Sequence, residues 1–432
     1  MPVPPRSRRL VLALALAALV PAVVATAQPA TTPAPDATVA SMYRDLAALK
    51  GVVAGPPPPL IVRSREETRR FIEQELARRY SPARLEAERK SMVAWGLIPA
   101  DYDLRRLFLD LMEEQISAYY DPRGKAMVVG DWLTPAEQQV ALLHELVHAL
   151  QDREIALDGF LAPAPGKGDQ VLARQALIEG EAVGVMFDVI LRATGADLAA
   201  LPDIGAIRGQ ILAGSIGLAI QRAPRFLRDL LLFPYVEGLS FIHQWRKRNP
   251  WSGASHLYRD PPRSTAQILH PEQRLDARQD PIPIALPDLD PLLPGHRLVA
   301  EDEMGEFGLG AVLGLSLGEA EGRRAAIGWR GDRYRLWEDG EGRFVIAYLV
   351  ALESERVANA LALHLAGVVE RRHPALARKG VPGAPAIVTW QDGPRAFAVE
   401  KRGQEVLLLE RVPATAADRI RETVWRSPAA KP

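Results

Sequence analysis

The sequence predicts an α+β protein in two parts: a mostly helical unit with a small sheet, then a C-terminal α+β domain with a mainly antiparallel sheet. Three observations predict it. Apolar residues at helical spacing, opened by capping signals, fill the first two thirds of the 432-residue chain. Five prolines (Pro281, Pro283, Pro287, Pro291 and Pro294) mark a boundary at 279–296. Beyond it, short β-prone runs alternate with helices. The chain is too long for one ordinary domain, and 48% apolar content supports large cores.

In chain order, residues 1–27 read as a secretory signal, which places the mature chain in the periplasm or outside the cell. Arg6, Arg8 and Arg9 are its positive region, Leu10–Val20 its apolar core, and Ala25-Thr26-Ala27 a cleavage site before Gln28. Removing the three arginines leaves 50 basic against 53 acidic residues, about −3 net. No basic patch points to nucleic acid. The absence of cysteine excludes a lipid anchor on cysteine and any disulfide framework. Ile204–Ile220 is the most apolar later run, but Arg208 and Gln210 make it a buried helix and not a membrane span.

Residues 28–60 read as a Pro-rich linker with a short helix at Ala40–Leu49, and the helical unit spans 61–278. Ser64 followed by Glu67 opens an amphipathic helix to Tyr80, with helices at Ser81–Trp95 and Tyr102–Ser117 after it. Ala118-Tyr119-Tyr120 and Ala126–Val129 flank Asp121-Pro122-Arg123-Gly124, a hairpin. It is either an ordinary structural hairpin or an edge strand on which extended substrate pairs.

Thr134-Pro135-Ala136-Glu137 is a capping box with proline at the first helical position, so a helix starts there. It carries Leu142–Asp152, LLHELVHALQD, in which His144, Glu145 and His148 form the pattern H-E-x-x-H. Residues four apart share a helix face, so both imidazoles can bind one metal ion. Neutral imidazole suits Zn2+. Glu145 would act as general base on a water in the metal's open position. The surrounding leucines make the helix core-like, and burying such polar groups is costly unless they are paired or coordinated.

Val171–Ala193 returns to helix and holds Glu179-Gly180-Glu181-Ala182. A helix carboxylate after H-E-x-x-H is one source of the third ligand a zinc site needs. Glu179 and Glu181 are both candidates, but they are about 200° apart around the helix, so only one can face the metal. For a donor to the oxyanion of a hydrolytic transition state, the candidates are Tyr235 and His243 in Leu231–Trp245, and His270 in Ser264–Pro271. Pro261, Pro262 and Pro271 suggest an irregular segment folding back over a cleft.

HELVHALQD followed by ALIEGEA resembles the gluzincin class of zincin peptidases. The E-G-x-A piece is similar to the N-E-G-x-A element of zinc aminopeptidases, which implies Glu179 as third ligand and Glu181 in the neighbouring non-ligand place. More closely, the chain resembles a family of exported bacterial zincin-like proteins. The shared pieces are SREETRRFIEQEL, ISAYYDPRGKAMVV, HELVHALQD, ALIEGEA, FPYVEGLSFIHQW and PPRSTAQILHP. They cover Ser64 to Leu275, and the C-terminal third matches only through GWRGDRY. Two features depart from the gluzincin pattern. Thirty-one positions separate His148 from Glu179, and Val183 stands where thermolysin-like enzymes have an aspartate. Asp152 or Asp188 would then orient a histidine.

In the C-terminal domain, 297–432, helices are expected at Met304–Leu317, Ala320–Ile327, Glu355–Arg371 and Ala416–Val424. Strands are expected at Tyr334–Trp337, Arg343–Leu352, Ala386–Trp390, Ala396–Lys401 and Glu405–Arg411. No catalytic motif lies among them. The expectation is an exported zinc metallopeptidase acting on a peptide or protein. The alternatives are a zinc-binding protein without turnover and a hydrolase of another envelope amide.

Overall fold

The computed structural model describes residues 35–79, 81–115, 118–192, 195–214, 218–380 and 386–426. The expected signal segment at 1–27 lies outside these residues. The fold is α+β, with a helical N-terminal part and a C-terminal antiparallel sheet. No described helix is long and apolar enough to cross a membrane.

The first helix is longer than expected, running over Pro35–Lys50 and claiming residues read as linker. The reason is burial: Val39, Tyr43, Leu46 and Ala47, at helical spacing, all enter the core. A three-stranded sheet follows. β1 (Leu60–Arg63) runs parallel to β3 (Ala126–Gly130), and β3 pairs with β2 (Ala118–Asp121) in the expected hairpin. β2 is therefore an edge strand. Helices at Arg65–Arg79, Pro82–Ala94 and Leu104–Gln115 lie between β1 and β2 in the chain.

The centre of the helical unit is made by three long helices, Pro135–Ile155, Gly168–Arg192 and Arg225–Arg246. The second is buried almost continuously from Gly168 to Asp188, as its unbroken apolar sequence demands. The third passes through Pro234 without ending. The segment after Pro262 is largely short helix instead of irregular chain. Ser264 caps a short helix, Thr265–Leu269, which is wedged between the two parts of the molecule. There Thr265 donates from both its N–H and its hydroxyl to Asp169, and Phe307 N–H donates back to the Thr265 hydroxyl.

The C-terminal sheet is continuous across β4 (Arg297–Asp302), β5 (Trp329–Glu338), β6 (Phe344–Leu352), β10 (Glu405–Pro413), β9 (Arg395–Arg402), β8 (Ile387–Asp392) and β7 (Lys379–Gly380), every pairing antiparallel. One face packs on the helices Gly305–Leu317 and Glu355–Arg372, the other on Ala417–Arg426 and the Pro-rich run. That run is a strap: Ile284, Leu286, Leu289 and Leu293 are buried against the sheet. The strap passes Gly331 so closely that a Cβ there would lie 2.1 Å from the Ile282 carbonyl oxygen. The GWRGDRY piece thus has a structural role. Asp332 accepts from Met304 N–H, Gly305 N–H and Trp329 Nε1, and Arg333 donates to the Gly166 carbonyl (2.6 Å) and Glu303.

Candidate metal centre

The helix Pro135–Ile155 starts at a complete capping box, Thr134 accepting from Glu137 N–H while the Glu137 carboxylate accepts from Thr134 N–H. It ends at Ala156 in the left-handed conformation, φ 48°. His144 and His148, one turn apart, present their rings edge to face at 4.8 Å. Their Nε2 atoms are 3.1 Å apart. Glu179 Oε2, from the helix Gly168–Arg192, lies 3.3 Å from His144 Nε2 and 3.4 Å from His148 Nε2.

These three distances have a physical meaning. Around one ion in a tetrahedral site with bonds of about 2.0–2.1 Å, neighbouring donor atoms stand about 3.3–3.4 Å apart. His144, His148 and Glu179 form a buried group that can hold a metal ion. Glu181 faces away from it, as the rotation between the two positions requires.

A close helix crossing brings Tyr235 to the same place. A Cβ at Gly180 would lie 2.2 Å from the Gly238 carbonyl carbon, and one at Gly238 would lie 2.1 Å from the Ala176 carbonyl oxygen. Only glycine fits at either position, and Tyr235 sits three residues before Gly238. Its ring is 6.3 Å from the His144 ring, and its side chain is buried.

Burial alone would push the Glu179 carboxyl up, but the charge of His148 and hydrogen bonds from both histidines hold it at about 2. Burial opposes protonation of His148, yet Glu179 outweighs it and raises His148 to about 9. The Glu145 carboxyl is raised, chiefly by burial. Its Oε2 accepts from the backbone N–H of Tyr120 at 2.8 Å, so the edge strand β2 itself holds this carboxylate. Burial, then the negative charges of Glu179 and Glu145, push the Tyr235 phenol well above its ordinary range. It is a neutral O–H donor.

The partner of His148 is neither Asp152 nor Asp188. His148 Nδ1 meets Gln151 Oε1 at 2.7 Å. Asp152 accepts from the Tyr120 hydroxyl, Lys125 and Leu157 N–H, and so ties the helix end to the hairpin. Asp188 accepts from Leu198 N–H and Trp251 Nε1. Gln151 in turn donates to the Ile178 carbonyl (3.0 Å) and to Glu181 Oε2 (2.8 Å), while Lys50 Nζ pairs with Glu181 Oε1 at 2.8 Å and the Tyr258 hydroxyl donates to Glu181. Gln151 was within reach of sequence reasoning, because it lies three residues after His148 on the same helix face. Lys50, from a helix far upstream, carried no such signal.

Two candidates are not brought to the site. His243 Nε2 bonds the Leu201 carbonyl at 3.0 Å. His270 Nε2 bonds Glu306 at 2.7 Å and lines a cavity between the two parts of the molecule, of about 530 Å³, with Phe226, Phe233 and Phe307.

The family model that matches this chain is Domain of unknown function (DUF8575), over residues 294–421. No curated protein and no solved structure matches it. The match coincides with the strand-rich C-terminal part and includes no residue of the His144–His148–Glu179 group.

Proposed function

We propose that this chain is an exported zinc-dependent metallopeptidase of the zincin-like, gluzincin type. The observation that carries the reading is the set of donor separations among His144, His148 and Glu179, 3.1, 3.3 and 3.4 Å, with Glu145 on the next position of the same helix. Two imidazoles and one carboxylate with an open position are the donor set of a hydrolytic zinc site. When bound, the metal supplies Lewis-acid polarisation of the scissile carbonyl and acidifies a water.

The remaining chemistry falls to the chain. Tyr120 N–H fixes one oxygen of Glu145, leaving Oε1 to take the proton of the attacking water and pass it to the leaving amine. Burial raises the affinity of this carboxylate for that proton, as a general base working near neutral pH requires. Tyr235, neutral and buried beside the cluster, is the donor for the developing oxyanion. β2, an edge strand beside the H-E-x-x-H helix, suits an extended peptide.

The test uses residues 28–432 and the Glu145→Gln variant, with bound zinc quantified and a mixed peptide library read by mass spectrometry. About one zinc in each, with cleavage by the unmodified protein alone, is the expected result. Zinc in both with cleavage in neither rejects the peptidase, and zinc in neither rejects the metal site.

A further inference from the structure

We propose that Lys50, Glu181 and Gln151 form a positioning relay that fixes the His148 imidazole and thereby sets the affinity of the metal centre. This rests on the zinc site of the preceding subsection and adds residues to it.

Both ends of the Gln151 amide are committed. Its Nε2 donates to the Ile178 carbonyl and to Glu181, so its Oε1 must face His148. An acceptor at 2.7 Å from Nδ1 requires Nδ1 to carry a hydrogen, so that when a metal ion displaces the proton on Nε2, the lone pair exposed there faces His144 and Glu179. Gln151 thus selects both the tautomer and the ring orientation that metal binding needs.

An amide is a weaker acceptor than the carboxylate that commonly fills this role. Here Glu181 makes up part of the difference, since its negative charge against the amide N–H polarises Oε1. That charge is fully buried, and Lys50 balances it. Lys50 is itself wholly buried, with the Tyr258 hydroxyl at 3.3 Å and Glu154 at 3.6 Å. A lysine at a helix end ordinarily extends into water, and enclosing one demands a matched partner. The relay draws on four helices: Pro35–Lys50, Pro135–Ile155, Gly168–Arg192 and Ala254–Arg259. The helix Pro35–Lys50 is therefore a part of the metal centre.

The experiment compares the full chain with Gln151→Leu, Gln151→Met and Lys50→Met. Folding is checked by circular dichroism, zinc affinity by chelator competition, and ligand geometry by the visible absorption of the cobalt(II)-loaded proteins. Removing the acceptor on His148 should weaken zinc about 10–100-fold and shift the cobalt bands. Lys50→Met should shift them in the same direction with a smaller loss of affinity. Methionine is close to glutamine in length, so Gln151→Met keeps the packing should leucine disturb it. Folded Gln151→Met and Lys50→Met proteins with parental affinity and parental cobalt spectra would overturn the relay and leave the zinc site standing. An unmodified chain that binds neither metal removes the site on which the relay rests.

Discussion

Both parts of the molecule bury carboxylates, and they treat them differently. In the C-terminal sheet, Glu400 is gripped by Arg402 (2.8 Å) and Arg421 (2.7 Å), and Glu410 by Arg372 (2.9 Å) with His373 at 3.4 Å. In the helical unit, Glu179 is equally buried, but its charged partners are two histidines, and among the described residues no lysine or arginine pairs with it. A guanidinium is permanently charged, and its fork occupies the carboxylate permanently. An imidazole can give up its proton to an incoming metal ion, even where Glu179 raises its pKa, and then offers a lone pair. The partner, more than the burial, separates a structural acid from one that can hold a metal ion.

The sharpest way to break this distinction is to remove one acid from each part. Glu179→Ala should abolish stoichiometric metal. Glu410→Ala should leave metal content untouched and cost about 3–5 kcal/mol by stranding Arg372, read by denaturant unfolding. Metal loss in Glu410→Ala would erase the contrast.

The joint between the two parts gives a second test. Asp302 accepts from Gly168 N–H and is raised to about 6, chiefly by burial; Asp332 is raised to about 7 for the same reason. A carboxyl whose folded pKa exceeds its unfolded value of about 3.9 binds its proton more tightly when folded. Its contribution is complete below that unfolded value and is lost as pH rises through the folded one. His270, raised first by Glu306, and Glu306, raised by burial, act in the same direction. Stability at fixed metal content should therefore fall by about 2–4 kcal/mol between pH 5 and 8. A flat thermal-unfolding profile over that window would contradict it.

Smaller effects separate the glycines. Gly180→Ala forces a methyl group into the Gly238 backbone and should cost about 1–3 kcal/mol, with Tyr235 displaced and turnover reduced. At Gly367, in the helix Glu355–Arg372, an added methyl group would meet nothing within 4 Å, so Gly367→Ala should stabilise by about 0.5–1 kcal/mol. Equal effects at the two positions would show that the helix crossing is not tight.

Much of this was legible from local sequence. The capping box at Thr134, the helical spacing of His144 and His148, and the Glu179/Glu181 rotation all report contacts within a turn or two. The C-terminal helices and most of the expected strands came within a few residues of the observed bounds for the same reason, though β5 starts at Trp329 and not at Tyr334. What failed was long-range. β1 is four residues whose partner, β3, lies more than sixty residues on. β4 draws its identity from β5 across the helices Gly305–Leu317 and Glu319–Ala326. The pairing of His270 with Glu306, which takes it out of the site, crosses the Pro-rich strap. Tyr235 lies in the FPYVEGLSFIHQW piece, but its approach to the cluster depends on two glycines from separate helices meeting.

The burial of Lys50 sets an order of events in time. A chain that emerges from its N terminus presents Lys50 first, then Glu181, and Tyr258 last of the three. Until the pair with Glu181, 131 positions later, can form, the lysine must stay in water. His148 meanwhile lacks the finished wall that selects its tautomer. Completion of the surroundings of His148 is thus a closing act of folding, and a chain ending before Tyr258 would carry two histidines on a helix without the buried network behind them.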